Sequence, residues 1–132
     1  MPGGAQAVAS GKELVAAVVA LAQELGLEAR EQVRVGRRIW GAQRHIDVVL
    51  IDRQTRKTLG LECKCQSSGG TAEEKIPATI QDISAWPIPG LVVFAGEGFT
   101  DNMRSFLLST GKAVEFEDLE PWLRLFFGLP LE

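Results

Sequence analysis

Histidine and cysteine are scarce in this chain of 132 residues, and tyrosine is absent. Because His45 is the only histidine, no Ser/His/Asp arrangement competes for the role of an active site. The two cysteines, Cys63 and Cys65, alternate along one predicted strand and would point to the same face. Such neighbours rarely have disulfide geometry, and a zinc site on these cysteines is a weak alternative, because only His45 could complete its ligand shell. We therefore expect both thiols to be reduced core residues.

Long apolar runs are also missing. No apolar stretch approaches the roughly 20 residues that a transmembrane helix needs. The first residues lack the basic segment and following apolar segment of an export signal. Gly96-Glu97-Gly98 lacks the third glycine of a dinucleotide fingerprint, which argues against a nucleotide-processing α/β protein. We expect a cytoplasmic protein with no membrane partner.

The order of the predicted elements indicates a single α/β domain. Hairpin strands come first and helix–strand alternation follows, which favours a mixed central β-sheet flanked by helices on both faces. Residues 8–132 would form this domain, and residues 1–7 would be a disordered tail. We predict strands at residues 29–39, 44–52, 58–66, 91–95 and 113–116, and helices between Ser10 and Gly26 and at residues 71–85, 101–110 and 119–127.

Two neighbouring strands carry the residues best suited to chemistry. Asp47 interrupts the apolar run of the second strand, where a buried carboxylate needs a partner. Glu62, Lys64 and Gln66 share one face of the third strand. Two carboxylates can hold a hard divalent cation, and a lysine beside them can orient a water or stabilise charge on a phosphate. The pattern predicts metal-assisted phosphodiester hydrolysis, whereas the alternative is a polar strand face with a structural Glu62–Lys64 ion pair.

The order of Asp47 and, fifteen residues later, Glu62-Cys63-Lys64 resembles the signature of the PD-(D/E)xK nuclease superfamily. The resemblance extends over residues 10–127, because an opening helix and three strands come in the family's order. It implies a restriction endonuclease-like core in which Asp47 and Glu62 bind Mg²⁺ or Mn²⁺ and Lys64 serves the attacking water. It also implies that Gln66 orients that water or a phosphate oxygen. The chain departs from the family's name at Ile46, which stands in place of proline.

Glu13 on the first helix has two interpretations. Ser10-x-x-Glu13 is a capping box, in which the glutamate side chain reaches back to the start of the helix. Members of the family that the chain resembles often place a glutamate on this helix beside the metal, which would make Glu13 a third metal-associated residue. Both interpretations stay open at the level of the sequence.

Basic residues concentrate near the predicted site. Residues 28–58 contain eight of the fourteen basic residues and four of the seventeen acidic ones. Because Arg37, Arg38 and Arg44 precede the Asp47 strand, we expect them to contact a phosphate backbone, although a solvated arginine-rich hairpin would look the same. His45 is a further phosphate contact or an ordinary packed or solvated histidine. Lys75 is a backbone contact or a solvated lysine.

The sequence therefore predicts a divalent-metal-dependent deoxyribonuclease that acts on DNA with structure selectivity or weak sequence specificity. An apolar, aromatic-rich terminal helix is typical of a buried or interface position. Because two-fold symmetry suits cutting both strands of a duplex, the resemblance also implies a homodimer. The alternatives are a non-catalytic nucleic-acid-binding module on the same fold and a nuclease subunit of a larger complex.

Overall fold

The computed structural model describes residues 10–37, 43–66, 76–96 and 98–131, with the backbone alone for residues 37, 43 and 44. The helices are α1 (Gly11–Glu24), α2 (Ile76–Ile83), α3 (Asp101–Ser109) and α4 (Leu119–Phe127), and a 3₁₀ turn (Phe116–Asp118) precedes α4. The strands are β1 (Glu28–Arg37), β2 (Gln43–Ile51), β3 (Thr58–Cys65), β4 (Gly90–Ala95) and β5 (Ala113–Glu115).

The five strands form one mixed sheet in the order β1-β2-β3-β4-β5. The first three are antiparallel neighbours, whereas β4 and β5 join in parallel after helical crossovers.

The two faces of the sheet bury separate cores. The first core, under α1 and α4, includes Leu14, Val18, Leu61, Val93, Leu119 and Leu123. The second, under α2 and α3, includes Ile76, Ile83, Val92, Phe94 and Leu107. The predicted fold class, a mixed sheet with helices on both faces, is confirmed.

Helix α1 has well-defined ends that fix it over the first core. The Ser10 hydroxyl accepts a hydrogen bond from the Glu13 backbone N–H at 3.2 Å, which confirms the predicted N-cap. Gly26 has a φ of +82°, the left-handed conformation in which glycine commonly ends a helix. Between these ends Leu14 and Val18 are fully buried against the sheet. The helix is therefore held beside β3, the strand that carries Glu62 and Lys64.

Two paired glycines make room for a tryptophan on the other face. Gly60 of β3 lies opposite Gly90 of β4, and a Cβ atom added to either would come within 2.8 Å of the Trp86 ring. Trp86 is 7% exposed. Gly60 precedes Glu62 by two residues and shares its face, so the indole covers the sheet next to Glu62 and helps to exclude water there.

Some predicted boundaries differ from those observed. The second helix was expected to reach residue 85, but it ends at Ile83 because the chain turns there: the N–H groups of Ala85 and Trp86 bond to carbonyls three residues back. Residues 1–9, 38–42 and 67–75 lie outside the described part, and with them the predicted tail, Arg38, Lys75 and the expected start of that helix. Among the helices that the structure describes, none is both long and apolar enough to cross a membrane.

Candidate active site

The site is built where β2 and β3 separate. Their antiparallel pairing runs from Ile51 opposite Thr58 to Val48 opposite Leu61 and stops there. The next residue of β2 is Asp47, and its Oδ2 accepts a hydrogen bond from the Cys63 backbone N–H at 2.9 Å. The carboxylate thus accepts the hydrogen bond that a backbone carbonyl of β2 would accept in a regular ladder. Because the N–H and C=O of one strand residue point to the same side, the Cys63 carbonyl faces the same gap.

Strand β2 changes faces at Asp47. Ile46 packs into the core under α2 and α3, whereas Val48 and Leu50 pack into the core under α1 and α4. A regular strand would place residues 46 and 48 on the same face, so the backbone rotates between them. The rotation accounts for an aspartate in an otherwise apolar strand, because its side chain enters the gap between the strands rather than either core.

Glu62 and Lys64 lie next to this gap on the face of the second core. The Lys64 Nζ atom is 3.6 Å from the Glu62 Oε2 atom, and the two side chains are 28% and 21% exposed. The pKa of Glu62 is raised to about 7: burial is the largest cause, the negative charges of Asp47 and Asp82 add to it, and Lys64 opposes the shift. The lysine therefore compensates for only part of the negative charge, and the site is electrostatically suited to a further cation.

The donor atoms at the gap fit a hard divalent cation. Carboxylate and carbonyl oxygens are the ligands that Mg²⁺ prefers, and it is usually bound by one or two carboxylates together with waters. Asp47 and Glu62 supply the carboxylates, and the Cys63 carbonyl faces the same gap. Within the described ranges, no group of three or more His, Cys, Asp or Glu side chains is arranged to hold a metal ion. Asp47 and Glu62 are thus the two carboxylates that the described residues could offer to a cation at this gap.

Glu13 lies on the other side of β3. Its backbone N–H bonds the Ser10 hydroxyl, and that hydroxyl lies 3.5 Å from the Glu13 Oε1 atom. Burial raises the pKa of the Cys65 thiol, and the nearby negative charge of Glu13 adds to the shift. The glutamate is therefore near the end of β3 but faces Cys65, a residue of the first core's rim. The capping interpretation has direct geometric support, and a metal-associated role stays a prediction.

Gln66 is 6% exposed and anchors the turn after β4. Its Nε2 atom donates to the Gly98 carbonyl at 2.8 Å, and its backbone carbonyl accepts from the Gly98 N–H at the same distance. Gly96 in this turn has a φ of +106°, and a Cβ atom there would come within 2.2 Å of the Gln66 carbonyl oxygen. The Gln66 Oε1 atom is buried without a hydrogen-bond partner. One end of the side chain is thus structural, and the other keeps an unused acceptor.

The structure describes only some of the residues that are predicted to contact phosphate. His45 is exposed, precedes Asp47 by two residues and lies opposite Arg34 of β1. The backbones of Arg37 and Arg44 lie at the end of the β1–β2 ladder, beyond Asp47. These residues therefore lie at the end of the two strands near Asp47, and their contact with phosphate stays a prediction. Cys63 and Cys65 have unpaired thiols, and burial raises the pKa of both, in agreement with their expected roles as reduced core residues.

A cleft of about 640 Å³ below α1 reaches Asp47 and Cys63, whereas Glu62 and Lys64 do not line it. One wall is the α1 surface that carries Lys12, and the other includes Glu31 and Gln32 of β1, with Asp47 and Cys63 at the inner end. Neither Gln32 nor Asp82 was singled out from the sequence. The position of Gln32 depends on the register between β1 and β2, and that of Asp82 depends on the docking of α2, so no periodic pattern signals either of them.

A mixed sheet with helices on both faces, and an aspartate and Glu-x-Lys where two of its strands separate, define a restriction endonuclease-like α/β domain. Comparison with family models gives a match to a PD-(D/E)XK nuclease superfamily domain over residues 6–122. The chain belongs to this nuclease superfamily.

A solved structure with the same fold is titled "Crystal Structure of Protein of Unknown Function AF1548". It is 19% identical to this chain with a TM-score of 0.51, and the match covers 75% of this chain and 54% of that one. This chain thus spans about half the length of that protein, and the likeness concerns the fold alone. A comparison with curated proteins found no match.

Proposed function

We propose that the protein is a divalent-metal-dependent deoxyribonuclease that hydrolyses phosphodiester bonds in DNA. The observation that carries the proposal is the Glu62 carboxylate, which is partly buried beside Asp47 and has a pKa raised to about 7. A buried carboxylate facing a second carboxylate is unfavourable in a purely structural role, because both groups repel when ionised. A bound Mg²⁺ or Mn²⁺ would offset that repulsion.

In this proposal each side chain has a distinct role. Asp47 and Glu62 hold the cation through carboxylate oxygens, and the Cys63 carbonyl adds an oxygen from the backbone. The cation, when bound, supplies Lewis-acid activation of water and phosphate. Lys64, within 3.6 Å of Glu62, orients the attacking water and offsets charge developing on the phosphate. The unpartnered Oε1 atom of Gln66 can accept a hydrogen bond from that water.

The choice of a nucleic-acid substrate rests on the basic residues at the end of β1 and β2 near Asp47, and the choice of DNA rests on the nuclease superfamily to which the chain belongs. In this proposal Arg37, Arg38, Arg44, His45 and Lys75 contact phosphates of the DNA. Such contacts fix the register of a nucleic acid without reading its sequence. This favours a structure-selective or weakly specific enzyme.

A cleavage assay tests the proposal. Wild-type protein, Lys64→Ala and Lys112→Ala would be incubated with circular, linear, single-stranded and branched DNA, in Mg²⁺, Mn²⁺ or EDTA. Lys112→Ala is the matched control, because Lys112 is an exposed lysine in the turn before β5. We expect cleavage by the wild type and the control in either metal, none in EDTA, and a loss of at least about 100-fold in Lys64→Ala.

Other outcomes would support other functions. Metal-independent DNA binding without cleavage would favour a non-catalytic binding module on the same fold. Cleavage that appears only after a second protein is added would favour a subunit of a larger complex. Cleavage of RNA in preference to every DNA would retain the nuclease and reject the proposed substrate.

We also propose that the protein is a homodimer. The outer surface of α4 exposes Leu125 (69%), and Leu131 beyond the helix is also exposed (63%), beside the stacked rings of Trp122 and Phe126. Sedimentation equilibrium of the wild type and Leu125→Glu tests this. A dimer that becomes a monomer in the variant is the expected result, and a monomeric wild type would reject the proposal.

A further inference from the structure

Gln32 adopts a backbone conformation that is unusual for its position. It lies within β1, yet its φ is +52°. The one other non-glycine residue with positive φ in the described ranges is Arg56, which lies in the turn between β2 and β3. A left-handed conformation disfavours a side chain with a Cβ atom, and such outliers persist where the surrounding structure holds them. A turn explains Arg56, but no turn explains Gln32.

Gln32 lies opposite Asp47, the residue at which β2 changes from one face of the sheet to the other. Glu31 pairs with Val48 and Val33 pairs with Ile46, so Gln32 is opposite Asp47. The positive φ of Gln32 and the rotation of β2 at Asp47 therefore occur at the same level of the sheet. The left-handed backbone of Gln32 lets the edge strand follow β2 through its rotation, which directs the Asp47 carboxylate into the gap beside β3.

The Gln32 side chain completes the environment of that carboxylate. Its Nε2 atom is 3.5 Å from Asp47 Oδ1, at the outer limit of a hydrogen bond, whereas Oδ2 is bonded by the Cys63 N–H at 2.9 Å. The two oxygens thus have donors on opposite sides, one from each neighbouring strand. Gln32 and Asp47 also line the same cleft below α1.

We propose that Gln32 is a positioning residue that fixes the orientation of the Asp47 carboxylate through its amide group. As a statement about Asp47 alone, the proposal needs only the observed geometry. As a statement about metal binding, it rests on the proposed function. Residues that orient a metal ligand typically alter metal affinity by about 10- to 100-fold when removed, and the long contact here places Gln32 at the low end of that range.

Three variants distinguish the effect of the Gln32 amide group from the effect of its backbone conformation. Gln32→Ala removes the amide and keeps a Cβ atom at positive φ. Gln32→Gly removes the amide and relieves the strain. Gln23→Ala is the matched control, because Gln23 lines the same cleft from α1. The readouts are the hydrogen-exchange rate of the Cys63 amide in EDTA, the Tm in EDTA, and the Kd for Mn²⁺.

We expect both Gln32 variants to exchange the Cys63 amide about tenfold faster and to bind Mn²⁺ about tenfold more weakly than the wild type. Gln32→Gly should also raise the Tm by about 3 °C, since relieving a strained φ stabilises the fold. Faster exchange in a more stable protein has a local cause and not global unfolding. The Gln23→Ala control should match the wild type in all three measurements.

Unchanged Cys63 exchange in both Gln32 variants would overturn the proposal. Equal effects in Gln23→Ala would also overturn it, because they would show a general response of the cleft. A wild type that binds no Mn²⁺ would reject the proposed function, while the Cys63 exchange rate in EDTA would still decide whether Gln32 positions Asp47.

Discussion

The Asp47 carboxylate accepts a hydrogen bond from the Cys63 backbone N–H at 2.9 Å, one residue beyond the last regular pair of β2 and β3. A side chain therefore joins the strands where their backbones part. The same contact brings Asp47 to the strand segment that carries Glu62 and Lys64. In the proposed function the same carboxylate also binds the metal, so its hydrogen bond and its charge can be tested with separate substitutions.

Substitution of Asp47 should separate stability from activity. Asp47→Asn keeps an oxygen that can accept from the Cys63 N–H, so we expect the free energy of unfolding in EDTA to change by less than about 1 kcal/mol. Asp47→Ala leaves this partly buried donor without an acceptor and should cost about 1–3 kcal/mol. Both variants should lose metal-dependent cleavage. Urea unfolding measures the difference, and equal stability of the two variants would argue against the hydrogen bond.

Glu62 should make the metal-free protein less stable as the pH rises. Its pKa is raised from 4.5 to about 7, so the folded state binds the proton more tightly than the unfolded state does. The associated stability is fully present below pH 4.5 and is lost as the pH rises through 7. The change is on the order of 2–3 kcal/mol.

Glu62→Gln is the matched variant for this pH dependence. It keeps the shape of the side chain and removes the ionisation, so the fall in the free energy of unfolding between pH 4.5 and 7 should shrink. Urea unfolding in EDTA across that range is the measurement. A variant that retains the wild-type slope would show that another group titrates.

Much of the site could be predicted from the sequence, because strand alternation places Glu62, Lys64 and Gln66 on one face and the apolar run of β2 draws attention to Asp47. The rotation of β2 at Asp47 could not be predicted, since it depends on packing Ile46 into one core and Val48 into the other. Gln32 was missed for the same reason, as its role comes from a cross-strand register and a backbone angle.

The close packing of the Trp86 ring on Gly60 should make the stability of the fold sensitive to substitution at Gly60. Gly60→Ala would bring a Cβ atom within 2.8 Å of the indole ring, and we expect a loss of about 1–3 kcal/mol from overpacking. Gly11→Ala is the control, because nothing lies within 4 Å of a Cβ atom added there. Thermal unfolding compares them. A Gly60 variant as stable as the Gly11 variant would mean that the ring moves aside at little cost.

Because the Oε1 atom of Gln66 has no hydrogen-bond partner, we expect substitution of Gln66 to change the rate of DNA cleavage. Gln66→Met removes the Oε1 atom, which has no partner, together with the bond to the Gly98 carbonyl. We expect the Tm to change little, because a buried unsatisfied group is lost along with one hydrogen bond. Single-turnover cleavage should slow by about 10- to 100-fold if Oε1 orients the water. An unchanged rate would leave Gln66 with the anchoring role alone.

We propose that Asp47 and Glu62 form a divalent-metal site beside Lys64. Isothermal titration of Mn²⁺ into the wild type, Asp47→Asn, Glu62→Gln and Lys64→Ala at pH 8 tests it most directly. We expect saturable binding to the wild type, its loss in both carboxylate variants, and its retention in Lys64→Ala. Equal binding to all four proteins, or no binding to the wild type, would contradict the account.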